Sequence, residues 1–252
     1  MFRPRIIPVL LLNKDHLVKS VGFKDYRYIG DPINAVRIFN EFEADELVFL
    51  DVSATKNKRV ISLDVIKDIG EEANMPFCVG GGIQQLSQIR EIISAGAEKV
   101  IIGSYAVVNP DFVKQASTEF GSSTVTVCID VKKKRFGKEQ VWSVNGTKAS
   151  GIDPLEYARL MEGNGAGELI IQSIENDGKM KGYDLDLIKK ISENVSIPVV
   201  ALGGAGSLKD LSKAYTESNA TGLAAGSLFV YYGTNKGVLI NYPEKNEFKN
   251  LI

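Results

Sequence analysis

Histidine is almost absent from this chain. One residue, His16, occurs among 252, with no cysteine or second histidine near it in sequence. A zinc site built on imidazole and thiolate ligands therefore has no support, and no other metal set is evident. The two cysteines, Cys78 and Cys128, both lie inside apolar runs. There they read as small buried hydrophobes of a reducing compartment, not as a disulfide pair. Charge bias is missing too: 30 basic and 31 acidic residues leave a net charge of -1, so no basic face recruits nucleic acid. No apolar run has the length of a membrane span, and the opening Met1-Phe-Arg-Pro-Arg5 leads into too short a run for a secretion signal. These absences lead us to expect a soluble, cytoplasmic protein with no cofactor.

What is present is a repeating alternation. Short, largely β-branched runs occur at Ile6–Leu12, Leu47–Val52, Phe77–Val79, Val100–Ile102, Thr124–Asp130, Leu169–Ser173, Val199–Leu202 and Gly222–Ala225. Between them, helical spacing is visible at Pro32–Phe42, Leu63–Glu72, Leu86–Ala95, Pro110–Phe120, Pro154–Asn164, Leu185–Asn194 and Leu208–Glu217. Asp31-Pro32 and Asp153-Pro154 have the form of an N-cap followed by a first-turn proline. Strands that are apolar throughout and alternate with helices imply a parallel sheet covered on both faces. A chain of this length and pattern predicts one (β/α)8 TIM barrel, with an open doubly wound sheet as the alternative.

An internal repeat favours the barrel. Glu46-Leu-Val-Phe-Leu-Asp51 matches Glu168-Leu-Ile-Ile-Gln-Ser173 at an offset of 122 (168 against 46). The same offset pairs Leu63 with Leu185, Pro76 with Pro198, Gly81 with Gly203 and Gly82 with Gly204. Two half-barrels, approximately residues 1–120 and 121–252, account for it. The longest irregular stretch, Val131–Gly151, contains the alternating Gln140–Val144, which predicts a small hairpin on the barrel top.

In such a barrel the chemistry sits on the loops after the strands. Glycine or small-residue sets fall there: Gly80-Gly81-Gly82, Gly103-Ser104, Gly203-Gly204-Ala205-Gly206 and Ala225-Gly226-Ser227, with Gly178 next to Asp177. Glycines let backbone N–H groups close on an anion, so two facing phosphate sites are expected; tight turns without a ligand are the plainer reading. Asp130, at the end of the fifth run, suits acid/base work, although an N-cap or a salt bridge to Lys132 or Lys133 would also explain it. Asp51 and Asp177 follow the second and sixth runs, and Asp177 also fits a turn. At the other end, Arg5, Glu46, Lys99 and Glu168 each precede an apolar run, so parallel strands bring two cations and two anions to one rim. From the residues alone that ring is a stabilising plug.

Arg5-Ile-Ile-Pro8, Glu46 to Asp51, Pro76-Phe-Cys-Val-Gly-Gly-Gly-Ile83, Cys128-Ile-Asp130, Gly165-Ala-Gly-Glu168, Asp177-Gly178, Lys181-Gly-Tyr-Asp184 and Gly203-Gly-Ala-Gly206 together resemble the cyclase subunit of imidazole glycerol phosphate synthase. The similarity runs nearly end to end. It implies a glutaminase partner on the N-terminal face and ammonia passing through the barrel to a phosphorylated substrate. It also implies that Arg5, Glu46, Lys99 and Glu168 form the ammonia gate. Against that pattern, the family's first catalytic aspartate falls at Leu11, and other polar positions of the mouth are Gly103, Gln172 and Leu202. A leucine transfers no proton. The resemblance therefore implies that delivery is kept and the acceptor has changed. Relatives of this kind accompany a sugar amidotransferase that makes an acetamidino group in surface-polysaccharide pathways. Three alternatives stay open: a working cyclase with its chemistry moved to Lys19, Asp51 or Asp177; a noncatalytic scaffold that activates a glutaminase; and a sugar-phosphate isomerase of the sister family.

Overall fold

The computed structural model describes residues 3–134, 137–244 and 246–247. Met1 and Phe2 of the opening segment, and Arg135 and Phe136 within Val131–Gly151, lie outside them. Eight strands form the barrel: β1 Arg5–Asn13, β2 Leu47–Asp51, β3 Phe77–Gly80, β4 Lys99–Ile102, β5 Val125–Lys133, β6 Glu168–Ser173, β7 Val199–Leu202 and β8 Gly222–Ala225. Each pairs in parallel with the next. The last pairs with the first, Arg5 opposite Gly222, so the sheet closes. Helices separate successive strands, and the molecule is a (β/α)8 barrel. The closing pair rules out an open sheet.

Local chemistry starts the helices where the sequence indicates. The Asp31 carboxylate accepts from the Asn34 N–H at 2.9 Å, and that of Asp153 accepts from the Leu155 N–H at 2.8 Å, each ahead of a first-turn proline. Alternation along the strands then sorts side chains into two cores. On β1, Ile6, Leu10 and Leu12 pack outward under the helices, whereas Ile7 and Val9 fill the lumen with Val48, Ile170 and Val200.

Several elements differ from expectation. β5 does not stop at Asp130 but runs to Lys133, because the strand Glu139–Ser143 pairs antiparallel with its end and Lys148–Ala149 continues that sheet. Asp130 is thus mid-strand and is not an N-cap. The expected hairpin at Gln140–Val144 is present, shifted by one residue, with Val144, Asn145 and Gly146 all at positive φ in its turn. Another hairpin, His16–Val21 against Lys24–Gly30, the first of the two in chain order, extends β1 over the mouth and was not legible in the sequence. Short helices at Ser104–Val108 and Ser227–Val230 and a small hairpin at Tyr231–Tyr232 and Gly237–Val238 were also missed. No helix among the described residues is long and apolar enough to cross a membrane.

Tyr242 is tied back to the start of the barrel. The Tyr242 hydroxyl donates to the Ile6 carbonyl at 3.0 Å and accepts from the Asp45 N–H at 3.2 Å, while its ring packs edge-on against Phe39. Tyr242→Phe removes both bonds and strands two backbone groups, at about 1–3 kcal/mol. For a domain of this size we expect a fall in Tm of roughly 3–8 °C, read from thermal melts.

Candidate functional site

At the N-terminal rim the four ionic side chains meet in a closed ring. Arg5 donates one guanidinium nitrogen to Glu46 and the other to Glu168. The Lys99 ammonium lies 3.5 Å from Glu46 and 3.2 Å from Glu168. Each carboxylate is therefore held between both cations. The acids are nearly enclosed, at 4% and 8% side-chain exposure, while Arg5 at 31% and Lys99 at 23% remain partly open. Burial works against the charge on Arg5 and on Lys99, but the carboxylates outweigh it and hold both cations above their ordinary pKa values. Above the ring, the Cys78 thiol donates to Glu46 Oε1 at 2.9 Å, and burial pushes that thiol well up.

At the other end one cavity of about 1200 Å³, counting its open mouth, gathers the remaining candidates. It is lined by Leu11, Lys19, Asp51, Asp130, Gln172, Asp177 and Leu202 together with Gly81, Gly82, Gly103, Ser104, Gly178, Gly203, Gly204, Gly226 and Ser227. Among the described residues Asp130 makes no ion pair: Lys133 meets Glu139 at 3.6 Å and Lys132 lies over the Trp142 ring. Its neighbour in the mouth is the Cys128 thiol, 3.7 Å away. Burial raises the Asp130 carboxyl to about 7, so near neutral pH both of its protonation states are populated. The Leu11, Leu50 and Leu202 side chains join the lumen cluster. They supply the mouth with apolar wall and nothing that exchanges a proton.

Other polar groups in the mouth are already engaged. The Lys19 ammonium donates to the Val9 carbonyl at 3.0 Å, and burial lowers its pKa to about 8 against the pull of Asp177. Asp177 accepts from the Ser20 hydroxyl at 3.0 Å and from Gln172 at 3.5 Å, clasping the first hairpin to β6; burial raises its pKa. Asp51 accepts at Oδ1 from the Ser53 and Ala54 N–H groups, while its buried Oδ2 lies 2.6 Å from Arg59 in an ion pair and accepts no hydrogen bond among the described residues. Arg59 was missed because no pattern in the sequence marks it. The Ser104 hydroxyl accepts from the Val144 N–H at 2.8 Å, which ties the second hairpin to the end of β4.

Gly81, Gly82, Gly203 and Gly204 all have positive φ, at the paired positions of the repeat. A Cβ on Gly82 would lie 1.9 Å from the Arg59 carbonyl oxygen, and one on Gly204 would lie 2.1 Å from that of Gly182. Folding alone demands these glycines. Gly103 differs: a Cβ there meets only the Cys128 carbonyl oxygen at 3.7 Å. Among the described residues no group of three His, Cys, Asp or Glu side chains could hold a metal ion.

Comparison with known proteins adds relatives. A model of the family described as histidine biosynthesis protein matches residues 5–236. A Leptospira borgpetersenii protein provisionally named an imidazole glycerol phosphate synthase subunit is 48% identical over 96% of this chain and 96% of its own. A Vibrio vulnificus protein with the same provisional name is 44% identical over 100% of this chain and 97% of its own. An Alkaliphilus metalliredigens protein, named imidazole glycerol phosphate synthase subunit without qualification, is 42% identical over 92% of each chain.

The raised Asp130 pKa has a thermodynamic consequence. The folded state holds this proton more tightly than the unfolded chain does, so the stability it lends is present at low pH and is lost as pH rises through about 7. Asp130→Asn removes the ionisation. The variant is expected to melt at a higher temperature than the parent at pH 8 and close to it at pH 4, as measured by calorimetry at both values.

Proposed function

Since the chain belongs to the histidine biosynthesis family, we propose that it is the ammonia-conducting, cyclase-like subunit of a glutamine-dependent amidotransferase. A glutaminase docks on the N-terminal rim, and ammonia enters at the Arg5/Glu46/Lys99/Glu168 ring. It leaves at the mouth, where the glycine loops of the two half-barrels cradle the phosphates of an acceptor. The acceptor differs from the phosphoribulosyl substrate of histidine biosynthesis. The reading extends to a sugar amidated with a separate sugar amidotransferase in surface-polysaccharide synthesis.

One observation carries this: a complete charged ring below and Leu11 at the mouth above. The ring keeps ions out, because crossing an apolar lumen as ammonium is far costlier than crossing it as neutral ammonia. At the mouth Asp130 is the acid whose pKa, about 7, suits taking a proton from an attacking amine or returning one. A cyclisation that needs a second carboxylate has leucine in that place, and losing a general acid costs on the order of 10²–10⁴ in rate.

The second reading, a working cyclase of histidine biosynthesis, is favoured by the names of those relatives. Asp51 and Lys19 are poor substitutes for the missing acid, since both are committed to contacts within the protein. The purified chain, with its glutaminase, is given the phosphoribulosyl substrate and ammonium. We expect turnover at least about 100-fold below that of a histidine-pathway cyclase and no rescue of a histidine auxotroph. Robust imidazole product would replace this proposal with the second reading.

A further inference from the structure

Apart from Cys78, whose thiol is bonded to Glu46 of the ring, the lumen wall between the charged ring and the mouth carries its polar side chains along one strand. β5 packs Val125, Val127 and Ile129 outward into the shell under the helices. By alternation its other face turns Thr126, Cys128 and Asp130 toward the axis. Cys128 and Asp130 line the mouth. Thr126 lies deeper, 1% exposed, and its hydroxyl has no hydrogen-bond partner among the described residues. In register it stands beside Ile101 of β4 and Glu168 of β6, the latter a member of the ring. The neighbouring lumen positions Ile7, Val48, Ile101 and Ile170 are aliphatic.

A buried hydroxyl left without a partner is costly, and valine would fill the same space without that cost. The group is therefore out of place as packing, but it is well placed to meet a small polar guest. We propose that Thr126 is the first station above the ring on a polar ladder, Thr126–Cys128–Asp130, along which neutral ammonia climbs the β5 wall. This rests on the conduction reading above. Successive stations are two residues apart, roughly 6–7 Å along a strand. Ammonia both donates and accepts. It can therefore take the Thr126 hydroxyl proton on its lone pair, then exchange that bond for one to the Cys128 thiol and to the Asp130 carboxyl. Thr126 is a positioning residue that offsets part of the desolvation of the guest, and it takes no part in bond making.

The test uses the full chain labelled with ¹³C at threonine methyls, titrated with ammonium chloride at pH 9 and at pH 6.5, where almost all of it is ammonium. Sodium chloride at matched ionic strength is the control. The isosteric Thr126→Val assigns the resonance by its loss. We expect the Thr126 methyl to shift saturably with ammonium chloride at pH 9 only, while the other threonine methyls stay in place. No shift, or an equal shift with sodium chloride, overturns the ladder. Conduction is tested separately, by whether Arg5→Ala alters glutamine hydrolysis by the bound glutaminase. A silent Thr126 with that coupling intact removes the ladder and spares conduction. A responding Thr126 without coupling supports the station and removes conduction.

Discussion

The pairing of β8 with β1 is the constraint on which the rest depends. Once Arg5 lies opposite Gly222, each of the eight barrel strands has two neighbours, and the barrel itself has no edge. The period-two alternation then has one meaning around the whole ring: one set of residues faces the helices and the other faces the axis. Arg5, Glu46, Lys99 and Glu168 come from distant parts of the sequence. They meet because closure carries the starts of four strands around one rim. The same closure carries the opposite ends of the strands to a common mouth.

Desolvation acts at both ends of this axis with opposite results. At the ring, two acids and two bases share the buried space, and mutual attraction keeps the cations charged. At Asp130 the same loss of water has no cation to offset it, so the carboxyl retains its proton to about 7. At one end the two cations are held in their charged state, while the acid at the other can change state near neutral pH. The apolar lumen between them gives the difference its weight, because charge on either group is poorly screened there.

The parts legible in the sequence were those governed by local rules. Apolar runs and capping aspartates gave strands and helices, since each depends on near neighbours. The hairpin His16–Val21 and Lys24–Gly30 was not legible. Its second strand is largely exposed and charged at Lys24, Asp25 and Arg27, and its Tyr26-Arg27-Tyr28 alternation is too short to mark a strand. Its register is held by tertiary contacts instead, among them Ser20 on Asp177 and the Gly22 N–H on the Asp177 carbonyl. Arg59 escaped notice for the same reason: its partner Asp51 is set by a loop path, and no spacing rule describes that path.

The glycines show where sequence reasoning conflates two causes. Gly82, Gly178 and Gly204 follow strand ends and could cradle an anion, yet a Cβ at each would strike a carbonyl oxygen at 1.9 to 2.3 Å. Their identity is therefore forced by the backbone before any ligand is considered. Gly103 is forced by nothing comparable: its φ is negative, and its surroundings would accept a side chain. Leu11 packs on the lumen cluster, whereas nothing packs closely on Gly103. Neither position offers the mouth a hydrogen-bonding side chain of its own. Residues the scaffold does not dictate report most directly on the ligand, and it is on such positions that the proposed change of acceptor rests.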